Sequence, residues 1–356
     1  MSLGVGSLGG VRKLWWNPGA PSRPTGRRRR LLGLGVLGIL GLLSACGPDL
    51  GPIWPMSVAP PVNLPETSDP AVVRVGSEYF VYGSNNHLRA PVTRTSDLGR
   101  TYSLWAKNTI TTEAMPTKPA WAARAVQLWA PTVAPFGGRW VMFFGADRIA
   151  PPQPWNAQCI GRAWANAPTG PFVPEPSPVT CGIGGVGGAL DPEVYRESNG
   201  RTYLLAAFGD TEDPIRGVEL DGNANPIGPW VVLLGRRHPW EYHFIENPSM
   251  MFDPLRGNWL LAYSAGKWFE AGYSTGIARC STPLGPCTSF PNGPWISSRF
   301  GRSGTGGLTF FSDQWGNPWA VFSSFQYGWE TTSGGRSASV VPITLSPAVS
   351  AGPVVK

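Results

Sequence analysis

From Ala71 onward, apolar residues come in short runs mixed with polar or small ones, and each run is closed by Gly, Pro, Asn or Asp. Short runs bounded by turn formers predict strands, and no stretch carries the capped 3.6-residue pattern of a long helix. The runs recur as a unit: an apolar stretch, a Gly-containing turn, then an aromatic-led strand ending in small residues. The copies start at Ala71-Val-Val-Arg-Val, Thr132-Val-Ala-Pro-Phe, Glu193-Val-Tyr-Arg, Ser249-Met-Met-Phe and Gly307-Leu-Thr-Phe-Phe. Tyr79, Trp140, Tyr203, Trp259 and Trp319 lead the second strands at spacings of 61, 63, 56 and 60 residues. A third strand, Thr93-Arg-Thr-Ser-Asp97 in the first copy, follows in each. Later turn signals at Pro168-Thr-Gly-Pro171, Pro226-Ile-Gly-Pro229 and Pro283-Leu-Gly-Pro286 precede a fourth. Five units of about four short strands predict an all-β chain, a five-bladed β-propeller over 66–347 with 348–356 as a tail.

The N-terminus breaks this pattern. Arg27 to Arg30 precede thirteen apolar or Gly residues, Leu31 to Leu43, and then Ser44-Ala45-Cys46. As a helix this run would rise only about 20 Å, too short to span a bilayer. Basic flank, short apolar run and small residues predict an export signal over 1–45. The Leu43-Ser44-Ala45-Cys46 ending resembles a bacterial lipoprotein signal, which would make Cys46 the acylated membrane anchor; the alternative is an ordinary secretory signal. Residues 46–65 are Pro-rich and read as a tether.

Charge then takes on a different meaning. The formal net charge is +7, but Arg12, Lys13, Arg23 and Arg27 to Arg30 supply all of it, with no acid before Cys46. The remainder is balanced, which argues against a nucleic-acid partner. Cys159, Cys181, Cys280 and Cys287 form an even set in an exported chain. Cys280 and Cys287 bracket a turn and are expected to pair, leaving Cys159 with Cys181; four buried thiols are the alternative.

A propeller brings equivalent positions of different blades to one central channel. Just before the repeated Pro70, Pro131, Pro192 and Pro248 stand Asp69, Ala130, Asp191 and Asn247, and one residue earlier lie Ser68, Trp129, Leu190 and Glu246. Asp69, Asp191 and Glu246 are therefore expected at one channel mouth. Crowded carboxylates raise at least one pKa, so that one can act as acid while an ionised neighbour activates water. That division of labour is what cleavage of a glycosidic bond requires. Asp213-Pro214 and Asp253-Pro254 lie off this phase and read as turns.

Several motifs strengthen the reading. Asp69-Pro-Ala-Val-Val-Arg-Val-Gly-Ser-Glu-Tyr-Phe-Val-Tyr-Gly-Ser84, Leu128-Trp-Ala-Pro-Thr-Val133, Leu190-Asp-Pro-Glu-Val-Tyr195 and Ile245-Glu-Asn-Pro248 together resemble the blade signatures of family 43 glycoside hydrolases. The resemblance covers all five blades in order. It implies an exported inverting enzyme acting on arabinose- or xylose-containing glycans, with Asp69 as general base, Glu246 as general acid and Asp191 orienting Glu246 and keeping its pKa high. Asn247 replaces the family's Gly beside the acid. Gly307 stands where the family often carries a His that holds a water or calcium, so the resemblance implies no required cofactor and puts a channel calcium in doubt. A glycan-binding propeller without catalysis is the competing function.

Pentose rings present flat C–H faces that pack on aromatic rings. Trp129 and Trp268 are the candidate platforms, Arg302 a candidate donor to a sugar hydroxyl or carboxylate, and Asn85 a further ligand contact. Two other motifs fail on context. Gly182-Ile-Gly-Gly-Val-Gly187 lacks the helix that a dinucleotide site needs. Gly272-Tyr-Ser-Thr-Gly276 lacks the helix that follows a serine-hydrolase elbow. His87, His238 and His243 make no credible zinc set.

Overall fold

A computed structural model describes residues 67–84, 89–96, 110–122, 128–149, 158–184, 186–209, 214–291, 293–298, 302–326, 336–345 and 354–355. The export signal, the tether, Cys46 and Asn85 lie outside the described residues. Twenty of the described strands form five four-stranded antiparallel sheets, each in chain order from inside to outside, and Gly182–Ile183 pairs with Val186–Gly187 as a separate small hairpin. Blade 1 uses Ser68–Val75, Glu78–Ser84, Pro91–Thr95 and Ile110–Glu113. Blade 2 uses Trp129–Phe136, Arg139–Asp147, Gln158–Ala165 and Val173–Pro174. Blade 3 uses Ala189–Arg196, Thr202–Phe208, Ile215–Leu220 and Pro226–Leu234. Blade 4 uses Ile245–Asp253, Asn258–Ala265, Ser274–Cys280 and Cys287–Ser289. Blade 5 uses Arg302–Ser312, Pro318–Gln326, Ser337–Thr344 and Val354–Val355. The expected five-bladed propeller is present.

Two local expectations need correction. Pro226-Ile-Gly-Pro229 opens the outer strand of blade 3 instead of turning the chain. The turn is made just before it, where Asp221 Oδ1 accepts the amides of Asn223 and Asn225, each at 2.8 Å. The segment read as a tail contributes Val354–Val355, which pairs with Ile343 and Thr344 as the outermost strand of blade 5. Two β-branched residues make too short a run to register as a strand by pattern.

Apolar side chains collect between consecutive blades. Phe80, Val92 and Met142 pack blade 1 on blade 2, and Val141, Phe143, Leu204 and Phe208 pack blade 2 on blade 3. Leu205, Leu233, Met250 and Leu261 join blades 3 and 4; Leu260, Ile277, Phe310 and Phe322 join blades 4 and 5. Val81, Val321 and Ala338 close the ring from blade 5 to blade 1. Here the amide of Thr67 also donates to the carbonyl of Arg336 at 2.9 Å. Sheet-on-sheet burial of this kind fixes each blade by its neighbours.

The cysteines form disulfides Cys159–Cys181 and Cys280–Cys287. The second joins directly opposed residues of two neighbouring strands in blade 4. Such bonds are those of an oxidising compartment.

Candidate active site

Every inner strand slips register at the same place. Asp69-Pro70, Ala130-Pro131, Asp191-Pro192, Asn247-Pro248 and Gly307-Leu308 stand out of the ladder with their second strands. Four of these pairs end in Pro, which has no amide hydrogen to leave unpaired. The first residue of each bulge has a left-handed backbone, with φ of 47°, 42°, 53°, 47° and 62° in order. Asp, Asn and Gly tolerate this region, whereas at Ala130 it costs roughly 1 kcal/mol. A bulge re-aims side chains, and here five bulges direct one residue per blade at the same channel. Asp69, Ala130, Asp191, Asn247 and Gly307 line it, with Thr132, Glu193 and Thr309 further along the strands.

Asp69 is held from two sides. Ser84 donates its hydroxyl to Asp69 Oδ2 at 2.8 Å and accepts the Ala130 amide at 2.9 Å, so one serine ties the carboxylate to the bulge of blade 2. Arg336 places Nη1 3.3 Å from Asp69 Oδ1. This guanidinium is only 4% exposed, and its Nε and Nη2 have no hydrogen-bond partner. Buried donors without partners are costly in a folded protein, and these two belong to a side chain at the channel mouth. Gly307 completes the enclosure, since a Cβ there would lie 2.9 Å from Asp69 Oδ1 and 3.0 Å from its Cα.

Asp191 and Glu246 are 6% and 5% exposed. Burial pushes the Asp191 carboxyl well up, and the charges of Glu246 and Asp69 add to the rise; the Asn247 amide, donating to Asp191 Oδ2 at 3.2 Å, and Arg336 oppose it. Burial also pushes Glu246 up to about 7, opposed by the Tyr273 hydroxyl, raised by Asp69 and lowered by Arg336. The two acids feel each other, so they titrate as a pair that holds a proton near neutral pH. The Tyr273 hydroxyl lies 2.7 Å from Glu246 Oε1 and 2.6 Å from Asn247 Oδ1. The Tyr273 ring fits because residue 306 is Gly: a Cβ there would meet the ring at 2.1 Å.

The structure thus places Asp69 and Asp191 on the channel, with Glu246 close enough for the charges of the three to interact, and adds Ser84, Tyr273 and Arg336, which sequence reasoning missed. Tyr273 sits inside the Gly272-Tyr-Ser-Thr-Gly276 stretch, which lacks the helix of a serine-hydrolase elbow. Arg336 has no motif around it; its isolated position just before the third strand of blade 5 was the only signal. Arg302 is half-buried at the start of the fifth inner strand, opposite Gln326, and burial lowers its pKa. Trp129 is half-buried one residue before the blade 2 bulge and faces Gly145 on the adjacent strand. Trp268 is 52% exposed, edge-on to Phe269 at 5.3 Å. Tyr242 is exposed beside the same loop and donates to Glu270 at 2.8 Å. Among the described residues no cluster of His, Cys, Asp and Glu has the form of a metal site.

The model of the glycosyl hydrolases family 43 matches residues 59–347. The chain belongs to this family. An extracellular endo-alpha-(1->5)-L-arabinanase of Thermotoga petrophila is 27% identical to the family 43 chain over 61% of its residues and 50% of the relative's. The chain therefore spans about half the length of that relative. Its fold is similar to that of a thermostable family-43 glycoside hydrolase, with a TM-score of 0.68, 20% identity, and coverage of 82% of this chain and 93% of the other. It is also similar to an alpha-L-arabinofuranosidase from Lactobacillus brevis, at TM-score 0.66, 18% identity and 81% and 93% coverage. A Cellvibrio cellulosa alpha-L-arabinanase complexed with arabinohexaose gives TM-score 0.63, 15% identity and 83% and 96% coverage. At these identities the likeness to this family 43 chain is one of fold.

Proposed function

We propose that the protein is an inverting glycoside hydrolase acting outside the cell on arabinose- or xylose-containing glycans. The observation that carries this reading is the meeting of three carboxylates from three blades, two of them buried as a proton-holding pair. Glu246 gives its proton to the glycosidic oxygen as the bond to the anomeric carbon breaks. Asp69, ion-paired with Arg336 and steadied by Ser84, takes a proton from the water that attacks the opposite face of the sugar. The oxygen of that water ends on the anomeric carbon with inverted configuration. Asp191 orients the acid through the Asn247 amide and by repulsion keeps a proton on the pair.

The substrate class is supported by the family, by the likeness to an arabinanase and an arabinofuranosidase, and by exposed aromatic faces. Trp268, Phe269 and Tyr242 form a rim in blade 4, and Trp129 offers a second face; each suits the C–H side of a pentose ring. Gly307 brings no side-chain ligand to the channel, so chelation with EDTA is expected to leave the rate unchanged. Proton NMR of the first product from arabinan and arabinoxylan tests the proposal. Inverted configuration at the released anomeric carbon is expected; a retained configuration rejects the assignment of Asp69 as base.

We also propose a location at the membrane surface. Residues 1–45 are an export signal and Cys46 carries a lipid anchor. Two or more acyl chains give stable attachment. Labelled fatty acid is then incorporated by the wild-type chain and not by Cys46→Ser, which is released to the medium.

A further inference from the structure

Asn247 occupies a bulge whose backbone amide serves one buried acid and whose side chain approaches the hydroxyl that serves the other. Its N–H donates to Asp191 Oδ2 at 3.2 Å. Its Oδ1 lies 2.6 Å from the Tyr273 hydroxyl, which is also 2.7 Å from Glu246 Oε1. Tyr273 is fully buried and Asn247 is 8% exposed, so water does not take over these bonds. A hydroxyl has one hydrogen, and here two oxygens compete for it.

We propose that Asn247 is a positioning residue for the acid step, its side-chain oxygen holding the Tyr273 hydrogen while Glu246 is protonated and releasing it to Glu246 when the acid is spent. The inference rests on the reading of Glu246 as general acid. With Glu246 neutral, the Tyr273 hydrogen points to Asn247 and Glu246 keeps its own proton for the leaving oxygen. Once that proton has moved to the glycosidic oxygen, the hydroxyl turns to Glu246 Oε1 and stabilises the new carboxylate. No further atom or electron changes place. The effect is to favour the protonated acid before the reaction without forfeiting the stabilisation of its anion afterwards.

Asp69, Asp191 and Arg336 also face Glu246, and all three remain when Asn247 is changed. The informative variant is Asn247→Gly. Gly keeps the amide that serves Asp191 and accepts φ of 47° with less strain, so the backbone donor stays while the side-chain carboxamide, with the oxygen that faces Tyr273, is lost. Without a competing acceptor, Tyr273 bonds Glu246 at all times and favours its ionised form. One hydrogen bond of about 0.5–1.5 kcal/mol corresponds to a fall of about 0.5–1 pH unit in the pKa of Glu246.

The experiment is carbon-13 NMR titration of side-chain-labelled Glu in the full chain, wild type and Asn247→Gly, with Glu246→Gln identifying the resonance. Thermal unfolding checks that both variants fold. The result expected is a Glu246 midpoint lower in Asn247→Gly by that amount, with the basic limb of the kcat/KM profile moving by the same amount. An unchanged or raised midpoint overturns the proposal. The titration does not depend on turnover, so a wild-type chain inactive on pentose glycans would reject the hydrolase reading while the NMR result still decides the role of Asn247.

Discussion

Arg336 Nη1 lies 3.3 Å from Asp69 Oδ1, and this pair joins residues 267 positions apart in sequence. It ties blade 5 to blade 1 at the point where the ring closes. It also puts a buried cation beside the acids of the channel, lowering the pKa of both Asp191 and Glu246. Arg336→Gln leaves Asp69 without its counter-charge and its buried guanidinium donor. A loss of about 10²-fold or more in kcat/KM is expected, on the scale of other preorganised donors. Steady-state kinetics on arabinan or arabinoxylan, with circular dichroism to check folding, measures it.

Gly307→Ala tests the enclosure of Asp69. The new methyl group meets the Asp69 backbone and carboxylate, and the residue must hold φ of 62°. Overpacking together with left-handed strain costs about 1–3 kcal/mol. A lower Tm and a lower kcat/KM are expected together. Unaltered kinetics would show that Asp69 can shift without consequence.

Activity should fall as pH rises through about 7, because burial holds Glu246 near that value and only its protonated form can serve the leaving oxygen. The kcat/KM profile measures this limb in the free enzyme. A profile flat from pH 6 to 9 would contradict the assignment.

Stability carries a separate pH signature from Glu193. Burial pushes this carboxyl up to about 8, against the bonds donated by Thr132 at 3.2 Å and Ser249 at 3.3 Å. The folded state thus binds a proton that the unfolded chain releases above an ordinary Glu pKa. Its stabilisation is complete below about 4.5 and declines as pH rises to about 8. Glu193→Gln keeps a neutral group there, so its Tm should change less between pH 5 and 8 than that of the wild type. Differential scanning fluorimetry across that range compares the two.

The disulfides close loops of unequal length, with sequence separations of 22 for Cys159–Cys181 and 7 for Cys280–Cys287. Loop-closure entropy gives about 3 and about 2 kcal/mol respectively. The Cys159→Ala/Cys181→Ala pair should therefore lower Tm more than Cys280→Ala/Cys287→Ala. Equal losses would point to packing instead of loop entropy.

The blades and the carboxylate phase were legible because the bulge leaves a local mark. A left-handed residue followed by Pro favours Asp or Asn; the Pro recurs in four inner strands, and Asp or Asn precedes it in three. The aromatic at the head of each second strand fixed the repeat length for the same reason. Tyr273 and Arg336 were not legible: each reaches the site from outside the inner-strand phase, across a loop or the ring closure. No spacing connects Tyr273 to Glu246 until blade 4 is folded, nor Arg336 to Asp69 until the propeller is closed. Val354–Val355 was missed because two residues carry no period, and their pairing with Ile343 and Thr344 is supplied by the blade.

The central claim is that Glu246 supplies the proton and Asp69 receives one. Rates for Glu246→Gln and Asp69→Asn on a pentose polymer and on a nitrophenyl pentoside test it most directly, because a nitrophenolate leaves without protonation. Glu246→Gln should lose about 10³-fold on the polymer and far less on the nitrophenyl substrate, whereas Asp69→Asn should lose activity on both. Polymer cleavage by Glu246→Gln at the wild-type rate would contradict the account.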